Sequence, residues 1–205
     1  MPDRLRPLWD FDDLDASEQR FRQQLEEEST DEGRAEVLTQ LARVQGLRDD
    51  FDGCERLVQH AESLAGDSEL VRVRVELERG RKLRSSGDGE ASTPLFESAF
   101  TRARSIGEGY LAGDAAHMVA ISTPERMVEW TQRGLDLADA EPDAAYWAGP
   151  LLNNLGWHYY DAGDFESALA VFERALEVRK RDPDNEQAIV WAQEAIDETR
   201  QALGR

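Results

Sequence analysis

Apolar residues along this chain recur three and four positions apart, in runs of a dozen or more broken by Gly, Asp, Ser and Pro. That spacing gathers apolar side chains on one face of an α-helix and predicts a succession of short amphipathic helices. The stretch LLNNLGWHYYDAGDFESALAVFERALEV shows it most clearly. Leu152, Leu155, Gly156 and Tyr159 form one helical stripe. After the break AGD, Ala168, Phe172 and Ala175 form a facing stripe. Gly156 and Ala168 are small where the helices cross, so the backbones can approach closely. Gly163 suits a left-handed turn that ends the first helix, and Asp164 suits the cap of the second, with Glu166 in its first turn. Strand patterning is nearly absent. VRVRVEL alternates briefly, but it sits inside a longer segment rich in Arg, Glu and Leu with no hairpin turn after it.

The two-helix plan recurs upstream in weaker form. LTQLARVQGLRDDFDGCERLVQHAESL carries Leu38, Leu41, Ala42, Cys54, Val58 and Ala61 at the same spacing. The next unit turns at Gly87-Asp88 and carries Gly80, Leu83, Ser92, Phe96 and Ala99. A third carries Leu111, Ala115, Met118, Met127 and Gly134. Its turn, Ser122-Thr123-Pro124-Glu125, predicts a hydroxyl cap followed by Pro at the first helical position. ADAEPDAAYWAG is the longest break between units, and Pro150 marks the start or a kink of the following helix. Of the tryptophans, Trp130 and Trp191 are expected to pack, whereas Trp157 falls outside the core stripe.

The unit from Leu152 to Ala175 resembles the tetratricopeptide repeat, a helix–turn–helix of about 34 residues. The match rests on the spacing large-x-x-Leu-Gly-x-x-Tyr followed by Ala-x-x-x-Phe-x-x-Ala. In that register the repeats run over 35–68, 73–106, 108–141 and 149–182. The family's late proline is displaced: Lys180 holds its place and Pro183 follows. Single helices over 13–29 and 184–203 would cap the ends, which a solenoid needs because its terminal faces otherwise expose core. The fold the resemblance implies is all-α, a right-handed α-solenoid of about four helix pairs with N- and C-terminal capping helices, forming one domain over 1–205 and curved around one groove.

Composition narrows the chemistry. The 205 residues are 40% hydrophobic and 33% charged, with a formal net charge of -19, which suits a folded acidic helical protein. Such a charge repels nucleic acid and anionic membranes at long range, so neither is an expected partner. The lone Cys54 excludes an intramolecular disulfide and reads as a small core residue in a reducing compartment. The first residues lack the apolar run of a signal peptide, and no stretch is apolar for long enough to span a bilayer, so a cytoplasmic location is expected. No catalytic constellation and no cofactor motif is visible. His117 and His158 hold equivalent positions in adjacent repeats. Local hydrogen bonding at the seam is the plainer reading of them, and a metal-dependent enzyme the less favoured one, since no ligand spacing supports it.

One feature stands against the acidity. Six of the 24 basic residues crowd into VRVRVELERGRKLR: Arg72, Arg74, Arg79, Arg81, Lys82 and Arg84. The family resemblance places Arg43, then Arg74, Leu77, Arg81 and Arg84, then the small residues Gly109, Ala112, Ala116, Val119 and Ala120, and then Asn153, Trp157 and Tyr160 along the concave groove. Arg72, Arg79 and Lys82 would point elsewhere and balance acids. The groove so drawn is cationic at one end and aromatic at the other, with small residues between that let a ligand backbone come close. It implies a non-enzymatic adaptor or regulatory module binding an extended, acidic protein segment. Two alternatives accompany it. The arginines are simply neutralised by Glu76, Glu78 and neighbouring acidic helices, or the chain is a structural solenoid that self-associates into a homo-oligomer.

Overall fold

Side-chain oxygens start most of the helices. Asp13, Thr30, Asp50, Ser68, Asp88 and Asp164 each accept a hydrogen bond from the backbone N–H three residues on, the arrangement that relieves the orphan donors of a helix N-terminus. The computed structural model describes residues 3–181 and 186–204, and every regular element among them is helical. The helices are α1 (Leu14–Glu27), α2 (Asp31–Leu47), α3 (Phe51–Leu64), α4 (Glu69–Ser85), α5 (Gly89–Ser105), α6 (Gly109–Ser122), α7 (Met127–Ala140), α8 (Ala148–Asp161), α9 (Phe165–Arg179) and α10 (Glu186–Ala202). Pro183 and the residues just before α10 lie outside the described residues.

Neighbours in sequence pack as antiparallel pairs: α2 with α3, α4 with α5, α6 with α7 and α8 with α9. Helix α1 lies against α2 and α10 against α9. The first helices of successive pairs also touch, α2 with α4, α4 with α6 and α6 with α8, so these four helices share one side. The architecture is an all-α solenoid, and that shared side is its inner face. Within a pair the turn is tight. Gly163, at φ +77°, takes the left-handed conformation that joins α8 to α9.

Close crossings are built from glycine against a ring. A Cβ added at Gly156 would fall 2.4 Å from Cε1 of Phe172, and one at Gly80 would fall 2.5 Å from Cε1 of Phe96. The same contact thus recurs in the second and fourth pairs. Ala168, Cys54, Ser92 and Met127 occupy equivalent places in the four pairs and are all buried. Burial pushes the Cys54 thiol up to about 12, with Glu78 and Glu55 adding to it, so it is an unreactive core group. Trp130 is buried and meets Phe100 edge to face.

VRVRVEL is helical within α4, as its Arg-, Glu- and Leu-rich surroundings implied, with Val71, Val73 and Val75 all buried. Three expectations need correction or refinement. Trp191 does not pack; it is 57% exposed on α10. Thr123 does not cap α7: a 3-10 turn, Pro124–Arg126, intervenes, and the Thr123 hydroxyl meets that of Thr93 at 3.2 Å. The break before α8 is itself a 3-10 segment, Pro142–Trp147, with Ala144 and Trp147 buried.

Ala168 lies on α9 one turn before Phe172, in the cluster that holds that ring, and has no exposed surface. Ala168→Glu should therefore cost roughly 3 kcal/mol or more, through overpacking and an unpaired buried charge. Urea unfolding reads this directly; a midpoint equal to that of the parent would contradict the packing described.

Candidate functional site

The inner face begins with a segment that precedes the first helix. Asp3 to Phe11 crosses α2 and α4 with only one 3-10 turn, Arg6–Leu8, of its own. Leu5 and Trp9 bury their side chains in the cluster that contains Phe21, Ala35 and Val75. The segment is tied to α1, where Arg20 Nε donates to the Leu8 carbonyl at 2.8 Å and Ser17 Oγ donates to the Asp10 carbonyl at 2.8 Å.

Its charged side chains enter a buried chain of ion pairs. Nη1 and Nη2 of Arg74 donate to the two carboxylate oxygens of Asp3, at 2.9 and 2.8 Å. Arg74 Nε donates to Glu36 at 3.1 Å, and the other Glu36 oxygen accepts from Arg4 Nη2 at 2.9 Å. Arg4 reaches on to Glu28 at 2.7 Å. Burial by itself would push the Asp3 carboxyl up, but the paired bonds from Arg74 outweigh it and hold it below the ordinary aspartate value. Beside these pairs, Trp9 Nε1 donates to Gln40 Oε1 at 2.9 Å, and Arg43 lies 5.4 Å from the ring centres of both Trp9 and Phe11. Arg6 spans from Phe11 to Tyr146, at 5.2 and 5.5 Å.

These contacts correct the expected arginine groove. Arg74 is buried in the pairs just described, and Arg81 binds Glu78 and Asp114. Leu77 is buried in the core. Arg72 pairs with Glu69, Arg79 with Glu62, and Lys82 with Glu55. The cluster is therefore engaged mostly by the chain's own carboxylates, because a guanidinium taken out of water on an inner face must find an opposite charge nearby. Arg84 is exposed, outside these pairs. Burial pushes Glu78 up in spite of Arg81 and Arg43.

The small-residue middle of the groove is also filled. Gly109, Ala112, Ala116, Val119 and Ala120 are buried. The segment Pro142–Trp147 lies on this side of α6: a Cβ at Gly113 would fall 2.4 Å from Cδ1 of Trp147, and one at Gly109 would fall 3.5 Å from the Ala144 nitrogen. Small residues do admit a backbone closely here, but it is the chain's own.

What stays open is the C-terminal half of the inner face. A cleft of about 430 Å³ runs between α8 and α10, with Asn153, Asn154, Trp157 and Arg179 on one side and Trp191, Glu194 and Glu198 on the other. It adjoins a wider hollow of about 780 Å³ walled by Trp9, Phe11, Tyr146, Pro150 and Trp191. Trp157 is held edge-on by Phe172 and Tyr160, and Tyr160 by Phe165, so both rings are rigidly placed. Asn154 Nδ2 lies 2.7 Å from Nε2 of His117. Burial pushes His117 down to about 4, so the ring is neutral near pH 7. Arg179 is half-buried, makes no ion pair among the described residues, and is lowered by burial. Sequence reasoning missed Arg179 and Trp191 as lining residues, since only the return of α9 and α10 brings them opposite Trp157.

His117 bonds Asn154 and lies tilted against the Trp147 ring, whereas His158 lies edge-on to Tyr159. Among the described residues no group of three or more His, Cys, Asp or Glu side chains is placed to hold a metal ion. Among them too, no helix is long and apolar enough to cross a membrane.

Residues 149–182 match the family model for the tetratricopeptide repeat. No curated protein matches the chain.

The ion pair at Asp3 has a definite pH dependence. Its folded pKa lies below the ordinary value of 3.8, so its contribution is complete above that value and is lost as the pH falls through the folded one. On acidification the amides of Arg6, Leu8 and Trp9 should lose hydrogen-exchange protection before those of α2. Asp3→Asn should show that loss already at neutral pH. Unchanged protection in Asp3→Asn would show that the pair does not hold the segment.

Proposed function

We propose that this chain, a protein of the tetratricopeptide-repeat type, is a non-enzymatic adaptor that grips an extended segment of another protein on the inner face of its solenoid. A tetratricopeptide repeat supports a protein-interaction module in general. The observation that carries the narrower reading is the open cleft between α8 and α10, where a rigid Trp157, the amides of Asn153 and Asn154, and Arg179 face an exposed Trp191.

Each group has a use for an extended ligand. A side-chain amide offers both donor and acceptor to a peptide backbone. Trp157 and Trp191 offer flat contact area that loses little entropy on binding. Arg179 has the planar fork that holds a carboxylate with two bonds, which selects an acidic residue in the ligand. The cationic residues first assigned to this task at Arg74 and Arg81 are already neutralised, so Arg179 takes over the acidic selectivity.

A second reading rests on Val190 and Trp191, two large apolar side chains that α10 leaves exposed. They favour end-to-end self-association, which sizing at two concentrations would reveal.

The test begins with peptides selected from a random display library on the parent protein. They should carry an acidic residue, and their affinity should fall about thirtyfold in Trp157→Ala, the roughly 2 kcal/mol of a buried interface ring. Arg179→Glu should weaken them as well, and added salt should reduce binding to the parent. Thermal melts of both variants should stay near that of the parent. Selected peptides that bind both variants as well as the parent would refute the cleft as the binding site.

A further inference from the structure

The segment Asp3–Phe11 sits on the inner face in the manner of a ligand. It is a run of tight turns from Asp3 to Leu8 that straightens at Trp9, and it grips with a carboxylate on Arg74 and a ring beside Arg43 and Gln40. Its hold on the solenoid beneath it is uneven. Asp3 and Trp9 are well met, but a small cavity of about 50 Å³ remains under the segment, bordered by Arg43, Glu78, Asp114 and Trp147. Four buried polar atoms there have no hydrogen-bond partner: Arg43 Nε, Glu78 Oε2, Asp114 Oδ1 and Trp147 Nε1. Glu78, Asp114 and Trp147 are each more than nine-tenths buried. Two of the four atoms are donors and two are acceptors, so an occupant that places a polar side chain among them forms bonds that this segment does not make.

We propose that Asp3–Phe11 is a resident, replaceable occupant, and that the inner face over α2, α4 and α6 is a second docking site for a partner segment of the same chemistry: a carboxylate for Arg74 and an aromatic ring for the shelf of Arg43 and Gln40. The charge balance under the segment supports this occupant. Removing Asp3 leaves the Arg74 guanidinium with Glu36 alone, which Arg4 also shares, and so asks for a replacement anion. The resident segment, itself joined to α1, competes at a high local concentration, so a free ligand meets a nearly closed site until the segment is released. This site is distinct from the cleft that holds Trp157.

The test uses the full chain and one probe, a labelled peptide of residues 3–13, DRLRPLWDFDD. In the full chain carrying Asp3→Lys with Trp9→Ala, which weakens the resident segment, the probe should bind at least tenfold more tightly than in the parent by fluorescence anisotropy. Adding Arg74→Glu should abolish that gain, as should Asp3→Lys in the probe. Trp157→Ala should leave it intact. No gain in the released variant, or a gain that survives Arg74→Glu, overturns the proposal. A gain lost with Trp157→Ala instead would overturn it while leaving the cleft reading in place. Should the released variant fail to fold, hydrogen exchange on the parent decides the question. A replaceable segment exchanges its Arg6, Leu8 and Trp9 amides at least a hundredfold faster than those of Leu38 and Leu41, whereas equal protection shows that it is a fixed part of the core.

Discussion

The inner face of this solenoid carries ionised groups that water does not reach. Glu36, Arg74, Glu78 and Asp114 are each no more than 5% exposed. A charge moved out of water loses its solvation, and only an opposite charge with good hydrogen-bond geometry offsets the loss. Much of the local architecture follows from that requirement. Arg74 ties α4 to α2 through Glu36, and Arg81 ties α4 to α6 through Asp114. The first three pairs are thus joined by ion pairs where their first helices meet, and α8 meets α6 through Asn154 and His117, while apolar packing holds each pair within itself. The same requirement draws Asp3 across the face, since Glu36 serves both Arg4 and Arg74.

Apolar packing follows a complementary rule of size. The second and fourth pairs oppose glycine to phenylalanine at the crossing, and the corresponding places in the first pair hold Ala42 and Val58. A larger residue on one helix goes with a smaller one on the other, so interhelical spacing stays similar while the side chains change. Interiors packed at crystal-like density leave little room for any other solution.

Electrostatics and packing together divide the inner face. Its N-terminal half is covered by Asp3–Phe11 and its middle by Pro142–Trp147, while its C-terminal half is open between α8 and α10. The two covering segments meet where Arg6 lies over the Tyr146 ring. The division also explains how a chain of charge -19 accommodates its cluster of arginines. Arg74 and Arg81 are spent on internal carboxylates, so most of the acidic excess faces outward. The inner face thus presents an open cleft beside a part that the chain's own segment covers.

The helices, their pairing and the Asp164 cap were legible in the sequence because they are local properties. A period of 3.6, a glycine at Gly163 and a carboxylate at Asp164 act over a few residues, and no distant group had to be known. That Gly156 lies at a close crossing was legible for the same reason, but the sequence reading set it beside Ala168, whereas the ring it meets is that of Phe172. The inward direction of Arg74 and Arg81 could be drawn from the repeat register as well. What covers them could not. Asp3 meets Arg74 across 71 positions and Asp114 meets Arg81 across 33, and no periodicity relates such residues. Trp147 on Gly113 and Trp191 opposite Trp157 are pairings of the same kind, set by where the chain returns after a break. The chain's local patterns determined a helical solenoid with an inner face. Whether that face was open or occupied depended on which distant charge or ring lay within reach once the helices had stacked, and only the tertiary structure decided it.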